Sequence, residues 1–190
     1  MDAGELHERA VAVWRSTVAA VRDDQWHDPT PCTEWDVRTL VNHVVGEDLW
    51  TQPLVEGQTI EQVGDRLDGD VLGSDPKAKA EAAAVEAVDS MSAKLPAQGL
   101  VHLSFGDFPI EEYCNQLIAD HLVHSWDLAS ATGQDRTMDP ELVAFVTPWY
   151  DNIEQVMRDA GAVGPKVEGK GDAQSDLLGR FGRDASWSAP

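Results

Sequence analysis

The sequence predicts an all-α protein: a four-helix bundle with an additional C-terminal helix and an irregular tail. Three observations carry this reading. Four long stretches repeat apolar residues at three- and four-residue steps, helix-capping signals stand in front of these runs, and only one short segment alternates in the manner of a strand.

The first stretch, residues 3 to 22, sets Leu6, Ala10, Val13, Trp14, Thr17, Val18 and Val21 on one face. After the Pro29 to Pro31 break, Asp36 is suited to cap a second helix from Val37 to about Leu54, with Trp35 and Leu40 spaced as a hydrophobic staple. Glycines punctuate residues 56 to 74, a connecting segment with a short helical option at 60 to 67. Asp75-Pro76 opens a third, Ala-rich helix running to about Lys94. Leu100 to Phe108 is the alternating segment, too short to found a sheet. A fourth run extends from Ile110 to Thr132 and ends at Gly133, the position where a left-handed residue closes a helix. Asp139-Pro140 opens a fifth helix to about Ala160, interrupted by Pro148. Residues 1–160 are thus expected to form the bundle. Residues 161–190 form a tail packing on it, with a short helix at 175 to 181.

Composition narrows the function. The chain has 190 residues, with 14 Lys and Arg against 34 Asp and Glu, a formal charge of −20, and no basic cluster. So acidic a surface repels the phosphates of nucleic acid and of anionic membranes. With 42% hydrophobic and 25% charged residues the chain belongs with globular proteins rather than disordered ones. No apolar run is long enough to span a bilayer, and the amino terminus lacks the basic start and apolar core of a secretory signal. Two scattered cysteines, Cys32 and Cys114, make no disulfide framework or CxxC pair. A cytoplasmic protein is expected. No Gly-rich phosphate loop or Gly-x-Ser-x-Gly elbow is present, and Ser104, Ser125 and Ser130 stand near histidines without a hydrolase motif.

The residues that break the apolar stripes carry the functional signal. On the fourth long run the inward face passes through Leu117, Asp120 or His121, His124 and Leu128, so Asp120 and His124 share one face a turn apart. A carboxylate there must be paired or coordinated, because its desolvation is otherwise too costly. On the second helix the corresponding break is His43, between Leu40 and Val44. Taken singly, a histidine on an apolar face is most often a satisfied core residue. Together, His43, Asp120 and His124 form a His/carboxylate set fit for a divalent metal with a position left for water or substrate. Zinc suits the His-rich set, while iron, nickel and manganese use the same donors. His121 is an alternative ligand, although it cannot aim where Asp120 and His124 aim. Glu47, one turn beyond His43, reads as an acceptor fixing the imidazole or as a general base.

Two stretches bear a family resemblance. Pro31-Cys32-Thr33-Glu34-Trp35-Asp36-Val37-Arg38-Thr39-Leu40-Val41-Asn42-His43-Val44-Val45-Gly46 resembles the early signature of the mycothiol-dependent maleylpyruvate isomerase amino-terminal domain family, within the DinB-like superfamily. Asp120-His121-Leu122-Val123-His124-Ser125-Trp126-Asp127-Leu128-Ala129-Ser130-Ala131-Thr132-Gly133 is similar to its second signature. The tail from Leu177 to Asp184, followed by Trp187, resembles an actinobacterial subgroup. The resemblance implies an up-down-down-up four-helix bundle with a divalent metal, commonly zinc or nickel, in its core. His43 matches the ligand of the second helix, Asp120 the acidic or His ligand, and His124 the final His ligand. The isomerases themselves have Glu where this chain has Asp120. Relatives include thiol S-transferases, so the resemblance implies a small thiol, mycothiol first, and an electrophile as partners, with a homodimer compatible with the bundle. Arg38, Asn42 and Trp126 are candidate donors to the thiol.

Overall fold

A computed structural model describes residues 2–104 and 106–189. Helix α1 (Ala3–Ala19) starts on Asp2, whose carboxylate accepts from the Glu5 amide while Glu5 accepts from the Asp2 amide, a closed capping box. The apolar stripe read to residue 22 outruns the helix. The chain leaves helical geometry after Ala19, and Val21 is buried from the following loop instead.

The predicted caps form where the sequence puts them. Asp36 accepts from Thr39 N at 2.8 Å and opens α2 (Val37–Val55). Asp75 caps α4 (Pro76–Lys94), and Asp139 caps α6 (Pro140–Asp159), which contains Pro148. Between α2 and α4 lies the single turn α3 (Ile60–Val63), shorter than its apolar pattern. The alternating segment is a two-stranded antiparallel hairpin, β1 (Leu100–Leu103) with β2 (Gly106–Pro109), Val101 opposite Phe108. Helix α5 (Ile110–Thr132) ends on Gly133 at φ +70°, and α7 (Ala173–Arg180) lies in the tail.

The fold is an all-α, DinB-like bundle. Its principal contacts run α1 to α5, α5 to α2, α2 to α4 and α4 to α1, which places α1 across from α2 and α4 across from α5. The small side chains Ala80, Ala83, Ala84 and Ala87 let α4 approach its neighbours closely, and Met91 fills the remaining space. One apolar cluster centres on Trp14, Leu40, Val41, Val44 and Leu128; the other joins Leu117, Ile118 and Val123 to Leu142, Val146 and Tyr150 of α6 and to Leu177, Leu178 and Phe181 of the tail. Helix α5 is packed by α1, α2 and α6 and is buried almost continuously from Leu117 to Thr132. Buried polar side chains in that stretch depend on partners inside the protein, and the hydroxyls of Ser125 and Ser130 find none among the described residues. No helix among the described residues is long and apolar enough to cross a membrane.

Candidate metal centre

Helices α2 and α5 bring His43, Asp120 and His124 together. Asp120 Oδ1 lies 3.3 Å from His124 Nε2 and 3.7 Å from His43 Nε2, and the two imidazoles stand edge to face at 5.1 Å. One donor atom from each residue lies within 4.8 Å of the others. The second carboxylate oxygen, Asp120 Oδ2, is buried with no hydrogen-bond partner among the described residues. Two imidazole nitrogens and a carboxylate with an unspent oxygen fit a divalent cation. Trp35 lies 4.9 Å from the His43 ring and 5.9 Å from that of His124. Its loop is tied by a Cys32-to-Trp35 turn and by Thr30 Oγ1, which donates to Trp35 O at 2.8 Å.

The charges of these groups depend on one another. Burial alone raises the Asp120 carboxyl, but His124 and then His43 hold it well below the ordinary carboxylate range. Burial lowers His124, and Asp120 reverses this, holding the imidazole well above its usual value. The two shifts are mutual: Asp120 favours the protonated form of His124, and His124 favours the ionised form of Asp120, across the 3.3 Å from Oδ1 to Nε2. Glu47 is pushed up by burial and by Asp120, and its Oε1 is 4.0 Å from His43 Nδ1.

His124 is held from behind by a residue to which the sequence reading gave no role. Its Nδ1 donates to Asp127 Oδ2 at 2.9 Å, which leaves Nε2 directed at Asp120. Asp127 is fully buried, with its carboxyl brought down to about 2: burial raises it, and Arg183 with His124 more than offsets the effect. Arg183 donates through Nη2 to Asp127 Oδ2 at 2.8 Å, through Nε to Oδ1 at 3.2 Å, and through Nη2 to Cys32 Sγ at 3.0 Å.

The tail reaches this point through a specific turn. At the end of α7, Arg183 N donates to Leu178 O at 2.9 Å and Gly182 N to Gly179 O at 3.0 Å, the paired bonds of a Schellman close. Gly182 sits at φ +77°, and a Cβ there would lie 3.1 Å from Pro165 O. Phe181 stacks on Tyr150 at 4.0 Å, and Arg180 pairs with Asp151 and Glu154, fixing α7 on α6.

A second donor set, Cys32, His124 and Asp127, also has its atoms within 4.8 Å. There the counter-charge is already supplied, because the Arg183 guanidinium contacts both Asp127 and Cys32. This set supports the first rather than competing with it.

His121 turns away from the centre. Its Nδ1–H donates to Leu117 O at 2.8 Å and its Nε2 lies 3.1 Å from Asp48 Oδ1, both side chains being wholly inaccessible. The rings of His7 and Trp14 stand edge-on to it, and burial followed by the His121 charge brings His7 down to about 3. The three candidate thiol donors also lie elsewhere. Arg38 binds Asp70 and Gly73 O, Asn42 binds the backbone at Gly69 and Val71, and Trp126 lines a separate cavity beside α1.

The centre opens into a cavity of about 870 Å³, walled by the 31–35 loop, α2, α5, Trp149 and Met157 of α6, and the tail at 161–164 and 181–183. Fold and site together define a helical bundle that presents a His/Asp/His donor set to a small-molecule cavity. The chain belongs to the mycothiol maleylpyruvate isomerase N-terminal domain family, whose model matches residues 7–129. Over 180 residues it is 32% identical to uncharacterized proteins of Mycobacterium tuberculosis, from strain CDC 1551 / Oshkosh and strain H37Rv, covering 93% of this chain and 87% of each relative. No solved structure matches the chain.

Proposed function

We propose that the protein is a zinc-dependent small-thiol S-transferase or isomerase-like enzyme, with mycothiol as the first candidate thiol. The observation that carries this reading is the convergence of His43, Asp120 and His124 at the floor of a cavity that can take a thiol beside a second reactant. Family membership supports the choice of thiol. His43 Nε2, Asp120 and His124 Nε2 would hold the ion, with nickel the alternative to zinc. A divalent ion held there supplies Lewis acidity that favours the ionised form of a thiol.

The chain's own groups do the rest. Asp127 keeps the His124 proton on Nδ1, so that Nε2 faces the centre. Trp35 packs against both imidazoles, 4.9 Å from the His43 ring and 5.9 Å from that of His124, and helps to orient them. Glu47, with its raised carboxyl, sits beside His43 to receive a proton. In the transfer a sulfur–carbon bond forms, the bond from that carbon to its leaving group breaks with its electron pair going to the leaving group, and the thiol proton would pass to Glu47 and from there to solvent.

The test is consumption of a chlorinated bimane by purified protein with mycothiol, bacillithiol or glutathione. Metal-dependent turnover with mycothiol is expected, lost after chelation and restored by zinc. Absence of turnover with all three thiols refutes the enzymatic reading. A non-catalytic metal-binding bundle would instead show strong stabilisation by the ion without thiol chemistry.

A further inference from the structure

A second cavity, of about 350 Å³, shares no lining residue with the one at the candidate metal centre. Helix α5 separates them: Asp120, Val123 and His124 line the first, while Leu122, Ser125 and Trp126, on the opposite side of a helix with 3.6 residues per turn, line the second. Helix α1, the loop at 135–139 and the first turn of α6 complete the wall. Ala10, Val13, Leu122, Trp126, Met138 and Leu142 give it an apolar lining with room for a single ring.

The charged groups of this wall balance. Arg9 pairs with Asp139 and Glu141, Arg136 donates through Nη1 to Trp187 O at 2.8 Å, and Asp135 Oδ1 accepts from the Thr137 amide at 2.9 Å and hydroxyl at 2.8 Å. An anionic ligand would meet Asp135 and Asp139, a cationic one Arg9 and Arg136, so neither sign is favoured. Three hydroxyls stand in the wall. That of Thr17 donates to Val13 O at 2.9 Å and that of Thr137 to Asp135. Ser125 is only 5% exposed, and its Oγ has no hydrogen-bond partner among the described residues. A buried hydroxyl left so costs stability until something meets it.

We infer that this second cavity binds an uncharged, ring-sized apolar molecule carrying a hydroxyl, which hydrogen-bonds to Ser125 Oγ. A serine hydroxyl both donates and accepts, so it complements another hydroxyl in either direction. Trp126, Leu122 and Leu142 hold the apolar body, and no ion pair of the wall has to break to admit it. The site requires neither the metal nor the thiol chemistry proposed above.

The experiment is a proton–nitrogen NMR titration of the whole chain with phenol and, in parallel, with toluene, in which a methyl group replaces the hydroxyl. Saturable phenol shifts are expected, largest at residues 122–126 and 135–138. Ser125→Ala should weaken phenol binding roughly fivefold and leave toluene binding unchanged, with a Tm no lower than that of the wild type, since the variant removes an unpartnered hydroxyl. Val13→Trp, at an exposed position in the wall, should fill the cavity and abolish the shifts from both probes. The inference is overturned by the absence of saturable shifts in those segments, by shifts concentrated around His43 and His124 instead, by phenol binding that Ser125→Ala leaves unchanged, or by binding that survives Val13→Trp. Benzoate or benzylammonium bound in this cavity as tightly as phenol overturns the preference for an uncharged ligand.

Discussion

Replacing Asp127 with Asn probes the support behind the candidate centre. The carboxylate is fully buried, accepts from His124 Nδ1 at 2.9 Å, and is paired with an Arg183 side chain only 13% exposed. Breaking a buried ion pair from one side costs about 3–5 kcal/mol because the partner charge is left uncompensated. Asn keeps one oxygen able to accept, which puts the loss near the lower end, about 3 kcal/mol. For a chain of this size that corresponds to a fall in Tm on the order of 10 °C. The imidazole also loses the acceptor that fixes its tautomer, a change that lowers metal affinity by roughly 10–100-fold. Thermal unfolding of the metal-free protein and titration with Co²⁺ against a chelator read the two effects separately. The paired variant Asp127→Asn, Arg183→Gln removes both charges. It should recover much of the stability while the metal affinity stays low. If Asp127→Asn unfolds within about 2 °C of the wild type and binds Co²⁺ as tightly, the assigned role of Asp127 is wrong.

Gly182→Ala forces a side chain into φ +77° against Pro165 O; a loss of about 1–2 kcal/mol is expected, together with weaker Co²⁺ binding as Arg183 shifts, both measurable on one sample. Asp48→Asn should destabilise by about 3 kcal/mol in thermal unfolding, since it leaves the inaccessible His121 without its carboxylate, yet leave metal stoichiometry at the wild-type value. Acid sensitivity follows from Asp127. Its carboxyl is depressed to about 2 from 3.8, so its stabilisation, about 2 kcal/mol, is complete above the unfolded value and is lost as pH falls through about 2. His124 is raised, so its pairing with Asp120 stabilises the metal-free protein fully below 6.5 and is lost as pH rises through the folded value. Metal must displace that proton, so the increase in Tm produced by zinc should grow between about pH 6 and about pH 8.5, with proton release detectable in weak buffer.

Much of the architecture was legible because local signals agreed with one another. Asp36, Asp75 and Asp139 cap helices where their side chains predict, and Gly133 stops α5, since caps and left-handed stops depend on neighbours within one turn. The pairing of Asp120 with His124 was readable for the same reason: they are one helical turn apart. That His43 meets them came from family resemblance, because helical periodicity places a residue on a face and does not say which helix packs there. Asp127 stood in the second family signature and was given no role. Its cue was present, a carboxylate three residues after His124, but its burial follows from the packing of α5 by several elements together. Arg183 carried no local cue for the centre. The turn at Gly182 brings it there, and nothing near it in sequence resembles the residues it contacts. The separate burial of His121 against Asp48 was invisible for the same reason.

X-ray absorption at the zinc edge, on protein purified without an affinity tag, tests the central claim most directly. The account predicts two imidazole nitrogens and carboxylate or water oxygen at about 2.0–2.2 Å with no sulfur, and loss of the bound ion in His124→Ala. A sulfur scatterer at about 2.3 Å would assign the ion to Cys32, and protein free of any bound divalent metal would contradict the account outright.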